Sequence, residues 1–176
     1  MKAAANLGLK ILPSNIQIAM ELDKVAQETE GPKRIERLIE MRTEALKILK
    51  ALSAFCPILI GSVWRGTIRR GSDIDIEAYH EEPNDIVEIL EDEGLTIQKT
   101  ECVNILENGK TGNSFHIHAE SWGKNSIEIV VRTIDEAKRK RTCDTFGDEI
   151  KGLTAKQLEK LLKHNPSQQF LPLKRA

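Results

Sequence analysis

Gly61-Ser62-Val63-Trp64-Arg65-Gly66, followed by Ser72-Asp73-Ile74-Asp75-Ile76, is the stretch on which the fold of this chain turns. It follows Pro57-Ile58-Leu59-Ile60, a short run apolar on both faces, as expected of a central strand that ends in a Gly-Ser turn. A second strand over Asp73 to Tyr79 sends Asp73 and Asp75 to one face, because side chains alternate along a strand. Two carboxylates side by side repel each other unless positive charge lies between them. Divalent cations carrying the phosphates of a nucleotide are the usual solution. Gly61 permits unusual dihedrals and close approach, so backbone N–H groups of the Gly61-Ser62 turn are suited to phosphate oxygens.

Working outward, Arg65, Arg69 and Arg70 lie between the turn and the aspartates, where guanidinium forks suit a triphosphate. Arg65 falls inside the motif; the other two fit a solvated basic loop equally well. A two-cation site needs more than two acids. Ser126-Ile127-Glu128-Ile129-Val130-Val131 sets Glu128 inside an otherwise apolar strand, where a charge is costly unless paired or metal-bound. Glu77 continues the face of Asp73 and Asp75 as an edge-of-site charge, and Glu120 shares a face with His116 and His118. The two histidines read as polar residues of an open sheet face or as lining of a cleft; no third ligand at zinc spacing accompanies them. Trp64 and Trp122 suit buried packing or stacking on a base. Lys138-Arg139-Lys140-Arg141 reads as a basic helix end, a solvated run or a contact for RNA or an acidic partner.

Composition bounds the class. At 176 residues the chain can hold one good core with appended helices, and 40% hydrophobic with 30% charged residues is ordinary for a globular protein. A net charge of −1 makes no case for general coating of nucleic acid and leaves room for local basic clusters. Cys56, Cys102 and Cys143 are odd in number, dispersed and without metal-type spacing, which favours reduced thiols in the cytoplasm. Met1 to Leu12 is too short and too weakly charged for a signal peptide, and no apolar run reaches membrane-spanning length.

A single domain is expected over 1–176, with a helical N-terminal extension over 13–54, a motif-bearing core over 57–132, and C-terminal helices and tail over 133–176. Pro13-Ser14 caps a helix from Asn15 to about Thr29, broken by Gly31-Pro32. A longer helix from Lys33 to Ala54 carries Ile35, Leu38, Ile39, Leu46, Leu49 and Leu52 on one face. A short helix starts near Ser62, and Pro83 opens another from about Asn84 to Glu93, closed by Gly94. Leu95 to Leu106 reads as a strand, bent or interrupted, and Glu107 to Gly112 as a hairpin turn. Ser114 to Ser121 and Ser126 to Arg132 are further strands. Thr133 caps a helix into Arg141, Thr154 and Gln157 form a capping box for Ala155 to His164, and Asn165 to Ala176 is an extended arm. Helices followed by a mixed sheet with interleaved helices argue α/β or α+β.

Gly61, Ser62, Arg65, Gly66, Ser72, Asp73 and Asp75 together resemble the signature of the nucleotidyltransferase superfamily that includes DNA polymerase beta, especially its small stand-alone members, the minimal nucleotidyltransferases. That signature is Gly-Ser, often with Arg-Gly shortly after, then Asp-x-Asp/Glu about ten residues on. The resemblance covers Pro57 to about Val131. It implies a mixed β-sheet core flanked by helices. It also implies two Mg²⁺ (or Mn²⁺) ions on Asp73, Asp75 and a third acid in an apolar strand, which points to Glu128, although many members carry Asp there. Gly61, Ser62, Arg65, Gly66 and Ser72 would bind the nucleotide. The implied reaction moves a nucleoside monophosphate from a nucleoside triphosphate, ATP foremost, to a hydroxyl acceptor of RNA, protein or small-molecule class, with release of pyrophosphate. Ser62 would hydrogen-bond phosphate rather than act as a nucleophile. The alternative is a non-catalytic nucleotide-binding or partner-binding module, for example an antitoxin-type protein paired with a HEPN-type partner. A homo-oligomer or a partner protein fits either; a membrane fits neither.

Overall fold

The computed structural model describes residues 12–107 and 110–172. Two helices lead: α1 (Asn15–Glu30) and α2 (Pro32–Ala51), divided at Gly31, whose φ of +59° suits glycine. The capping box on Ser14 and Gln17 starts α1, and Pro32 occupies the first turn of α2, where a missing N–H costs nothing. A 3₁₀ turn (Ser53–Phe55) leads to β1 (Ile58–Ile60), the one-turn helix α3 (Gly61–Arg65) and β2 (Ile74–Tyr79). Next come α4 (Pro83–Asp92), β3 (Thr96–Glu107), β4 (Lys110–Glu120), β5 (Ser126–Arg132), a second 3₁₀ turn (Ile134–Lys138) and α5 (Ala155–His164).

The five strands form one mixed sheet in the order β1-β2-β5-β4-β3. Only β2 and β5 run parallel; the other pairs are antiparallel. The expected bend in β3 is a register shift between Ile97 and Lys99. Glu107 and Lys110 close the β3–β4 ladder, and the centre of the expected hairpin turn, Asn108-Gly109, lies outside the described residues, as does the reading of Met1 to Ile11.

Alternation divides the sheet into two faces. Ile74, Ile76, Ala78, Ile127, Ile129, Val131, Ile117 and Ala119 are buried together with Met41, Ala45, Ile48 and Leu49 of α2 and with Leu158 and Leu161 of α5. The opposite positions carry Asp75, Glu77, Glu128, His116 and His118, so one face makes the core and the other gathers the polar and charged residues.

Four expectations need correction. Ile35 is not on the buried stripe: it is 41% exposed, and Met41, Ala45 and Ile48 complete the face instead. The basic run does not end an α-helix, because the 3₁₀ turn stops at Lys138 and Arg139 is extended. Arg141 leaves that run to pair with buried Glu77, which also takes Arg132 Nε at 2.9 Å; Glu77 is therefore a buried ion-cluster acid, not an edge charge. The tail is not a free arm up to Phe170. Arg42 on α2, fully buried, donates to the carbonyls of Val63 (3.0 Å) and Trp64 (2.9 Å) in α3 and of Pro166 (2.6 Å) and Gln168 (2.9 Å) in the tail. Phe170 N donates to Arg65 O at 2.9 Å.

Candidate functional site

The Gly61-Ser62 turn is the floor of a cleft of about 480 Å³, walled by Ile18, Ala19 and Leu22 of α1, by Thr67, Arg69 and Ser72 of the following loop, and by Cys143, Thr145 and Phe146. That volume lies within the range of small-molecule sites. Gly61 begins α3 at φ +67°, and a Cβ there would fall onto the Asp75 carboxylate, so only glycine lets the turn lie against β2. Ser72 stabilises the loop by accepting from Arg69 N at 2.9 Å, while Arg37 Nη1 and Nη2 donate to the carbonyls of Arg69 and Ser72 at 3.2 Å.

Three carboxylates lie in the neighbourhood of this turn, close enough for Asp73 and Glu128 to act on Asp75. Asp73 is exposed just ahead of β2; Asp75 is half-buried, paired in register with Ile60 on one side and Glu128 on the other. Burial, then the charge of Glu128, then that of Asp73 push the Asp75 carboxyl up to about 7, against a hydrogen bond from the Ser62 amide that acts the other way. Crowded acids of this kind are relieved by a cation, and an all-oxygen donor set suits Mg²⁺ or Mn²⁺. The residues present therefore fit such ions, with Asp73, Asp75 and Glu128 as holders. Among the described residues, though, no three acidic, imidazole or thiol side chains are already gathered in a cation-binding group.

Glu128 has a partner that its sequence context did not reveal: His116 Nδ1 lies 2.7 Å from Glu128 Oε1, and His116 Nε2 lies 2.7 Å from Ser114 Oγ. His118 instead faces Glu101 Oε1 at 3.2 Å, and Glu120 pairs along the strand with Thr96 and Ser126, one step beyond the acids.

Arg65 lines the cleft, and its guanidinium is engaged within the protein. Its guanidinium is buried, 2.6 Å from Asp148 Oδ1 and 3.2 Å from Asp148 Oδ2, donates to Phe170 O at 3.1 Å, and lies over the rings of Trp64 (4.5 Å) and Phe146 (4.4 Å). Gly66 caps α3 at φ +75°, and a Cβ there would crowd Gln168 O at 2.9 Å, which gives it a packing role beside the tail. Trp64 is buried, whereas Trp122 is 42% exposed and donates to Glu93 O at 3.0 Å, with Lys47 over its ring. Arg69 lines the cleft; the Arg70 amide donates to Glu30 Oε1 at 2.9 Å. Asp148, Phe146 and the α1 wall were not read from the sequence, since no local pattern ties them to the motif.

No protein-family profile matches the chain, and no curated protein matches it. Among solved structures it is similar to a cytoplasmic RNA terminal U-transferase, with 17% identity over 64% of this chain and 35% of that one at a TM-score of 0.39. It is also similar to a chain of the GLD-2/RNP-8 complex, with 11% identity over 68% of this chain and 40% of that one at a TM-score of 0.38. The chain thus spans well under half the length of either. Likeness at this distance bears on no residue's role. No helix among the described residues is long and apolar enough to cross a membrane.

Proposed function

We propose that this chain transfers a nucleoside monophosphate from a nucleoside triphosphate to a hydroxyl acceptor, releasing pyrophosphate. The observation that carries the proposal is the closeness of Asp73 and Glu128 to Asp75 beside the Gly61-Ser62 turn, with the Asp75 carboxyl raised to about 7 first by burial and then by those two charges. The resemblance of these residues to the polymerase-beta-type motif supports the same chemistry.

In this proposal the Gly61-Ser62 turn receives the phosphates, and Arg69 adds positive charge at the cleft wall. Asp73, Asp75 and Glu128 would hold two Mg²⁺ or Mn²⁺ ions, which would supply activation of the acceptor hydroxyl and neutralisation of the leaving pyrophosphate. Arg65 serves indirectly by fixing the loop that carries Phe146. ATP is the first nucleotide to test. RNA, protein and small-molecule hydroxyls are the acceptor classes.

Incubation with each labelled nucleoside triphosphate, Mg²⁺ or Mn²⁺ and candidate acceptors should give metal-dependent label transfer with pyrophosphate release. No metal-dependent binding of any of the four nucleotides would overturn the proposal. Glu128→Gln should lower turnover by about 10²-fold or more while changing nucleotide affinity little, since Asp73 and Asp75 remain. A second reading is a non-catalytic nucleotide-binding or partner-binding module. It expects tight nucleotide binding and no transfer in the same assay.

A further inference from the structure

We propose that His116 is a positioning residue for Glu128, itself held by Ser114, and that this pair fixes which carboxylate oxygen the third acid turns toward Asp75; the inference rests on the nucleotidyl-transfer reading above. The three side chains occupy one face of two adjacent strands. Ser114 and His116 are two apart on β4, and β4 pairs with β5 so that His118 stands opposite Glu128 and His116 is its diagonal neighbour. Distances of 2.7 Å on both imidazole nitrogens mark two well-formed hydrogen bonds.

Both contacts are satisfied with Nδ1–H donating to Glu128 Oε1 and Nε2 hydrogen-bonded to the Ser114 hydroxyl, which can donate or accept. Ser114 is only 2% exposed, so its hydroxyl is not offered to a substrate. A nucleophilic Ser-His-acid role is excluded by that burial, and what remains is an anchor running from buried Ser114 to the half-buried acid. Glu128 needs such an anchor. Glutamate has one more side-chain torsion than aspartate, and an unrestrained carboxylate would sample several directions. With Oε1 occupied by His116, Oε2 is left for the neighbouring strand, where Asp75 is the paired residue. Partners of this kind orient ligating carboxylates and raise their effectiveness without touching the cation.

The test is a Mn²⁺ titration of the full chain, alone and with ATP, followed by thermal unfolding. His116→Gln keeps a polar group near Nε2 but has none at the Nδ1 position, whereas His116→Asn keeps one at Nδ1. Relative to wild type, His116→Gln should need about 10- to 100-fold more Mn²⁺ for the same rise in Tm. His116→Asn should stay close to wild type, and Ser114→Ala should fall between them. A merely structural histidine would lower the metal-free Tm of both His116 variants and leave their Mn²⁺ dependence alone, which would overturn the proposal. A wild type that responds to Mn²⁺ together with a His116→Gln variant that responds equally would remove only the positioning role. A wild type with no response to Mn²⁺, with or without ATP, would remove the transfer reading and this inference with it. If His116→Gln does not fold, an unchanged Mn²⁺ dependence in Ser114→Ala is the overturning result.

Discussion

Asp75 is where the conflict between folding and chemistry is concentrated. Its carboxyl, ordinarily near 3.8, is pushed up to about 7. Below pH 3.8 folded and unfolded chains both hold the proton, and the site costs nothing. Between pH 3.8 and about 7 the unfolded chain ionises first, so stability of the metal-free protein falls as pH rises and levels off above 7. A shift of that size corresponds to at most about 4 kcal/mol. Asp75→Asn should therefore match wild type in Tm at pH 4, exceed it at pH 8, and abolish transfer. Equal Tm values for the two proteins at pH 8 would show that ionising Asp75 in its buried, acid-flanked position costs the fold nothing. Saturating Mg²⁺ should raise the wild-type Tm at pH 8 and leave that of Asp75→Asn nearly unchanged.

Among the elements, α3 is too short to hold itself together. Gly61–Arg65 spans little more than one turn, so the carbonyls of Val63 and Trp64 are completed from outside, by Arg42. Burial lowers the Arg42 guanidinium to about 10, still above neutral pH, and it bonds four carbonyls in place of an acid. Arg42→Lys should destabilise the protein by about 3 kcal/mol or more in urea unfolding, because a single ammonium cannot span four separated acceptors. A loss below about 1 kcal/mol would mean that water replaces the guanidinium freely. What the sequence made legible here follows locality. β5 and α5 agree with their expected bounds, Ser126–Arg132 and Ala155–His164, since alternation and the Thr154-Gln157 box are written in consecutive residues. The Gly-Ser turn and the two aspartates were legible for the same reason. The pairing of Arg65 with Asp148 was not legible because the two lie 83 positions apart, and the bond of His116 to Glu128 depends on a strand register that no single strand encodes.

At the scale of the molecule, the motif is fastened from both sides of the chain. Asp23 on α1 pairs with Arg34 and accepts from Gln169 Nε2 at 3.2 Å, so the helix that walls the cleft, the core helix and the tail are joined. Truncation after His164 should therefore lower Tm and speed amide exchange at residues 61–66 in particular, since Arg42 would lose two acceptors and Arg65 one. Unchanged exchange there would assign the tail a passive role. The same fastening imposes an order in time. Arg65 and Phe170 are 105 positions apart, and at about 5–20 residues per second a ribosome needs roughly 5–20 s to travel between them. During that interval the Gly-Ser turn is already made while its clasp is still unwritten. A growing polypeptide therefore completes the cleft around that turn only after the distant segment that clasps it has been made.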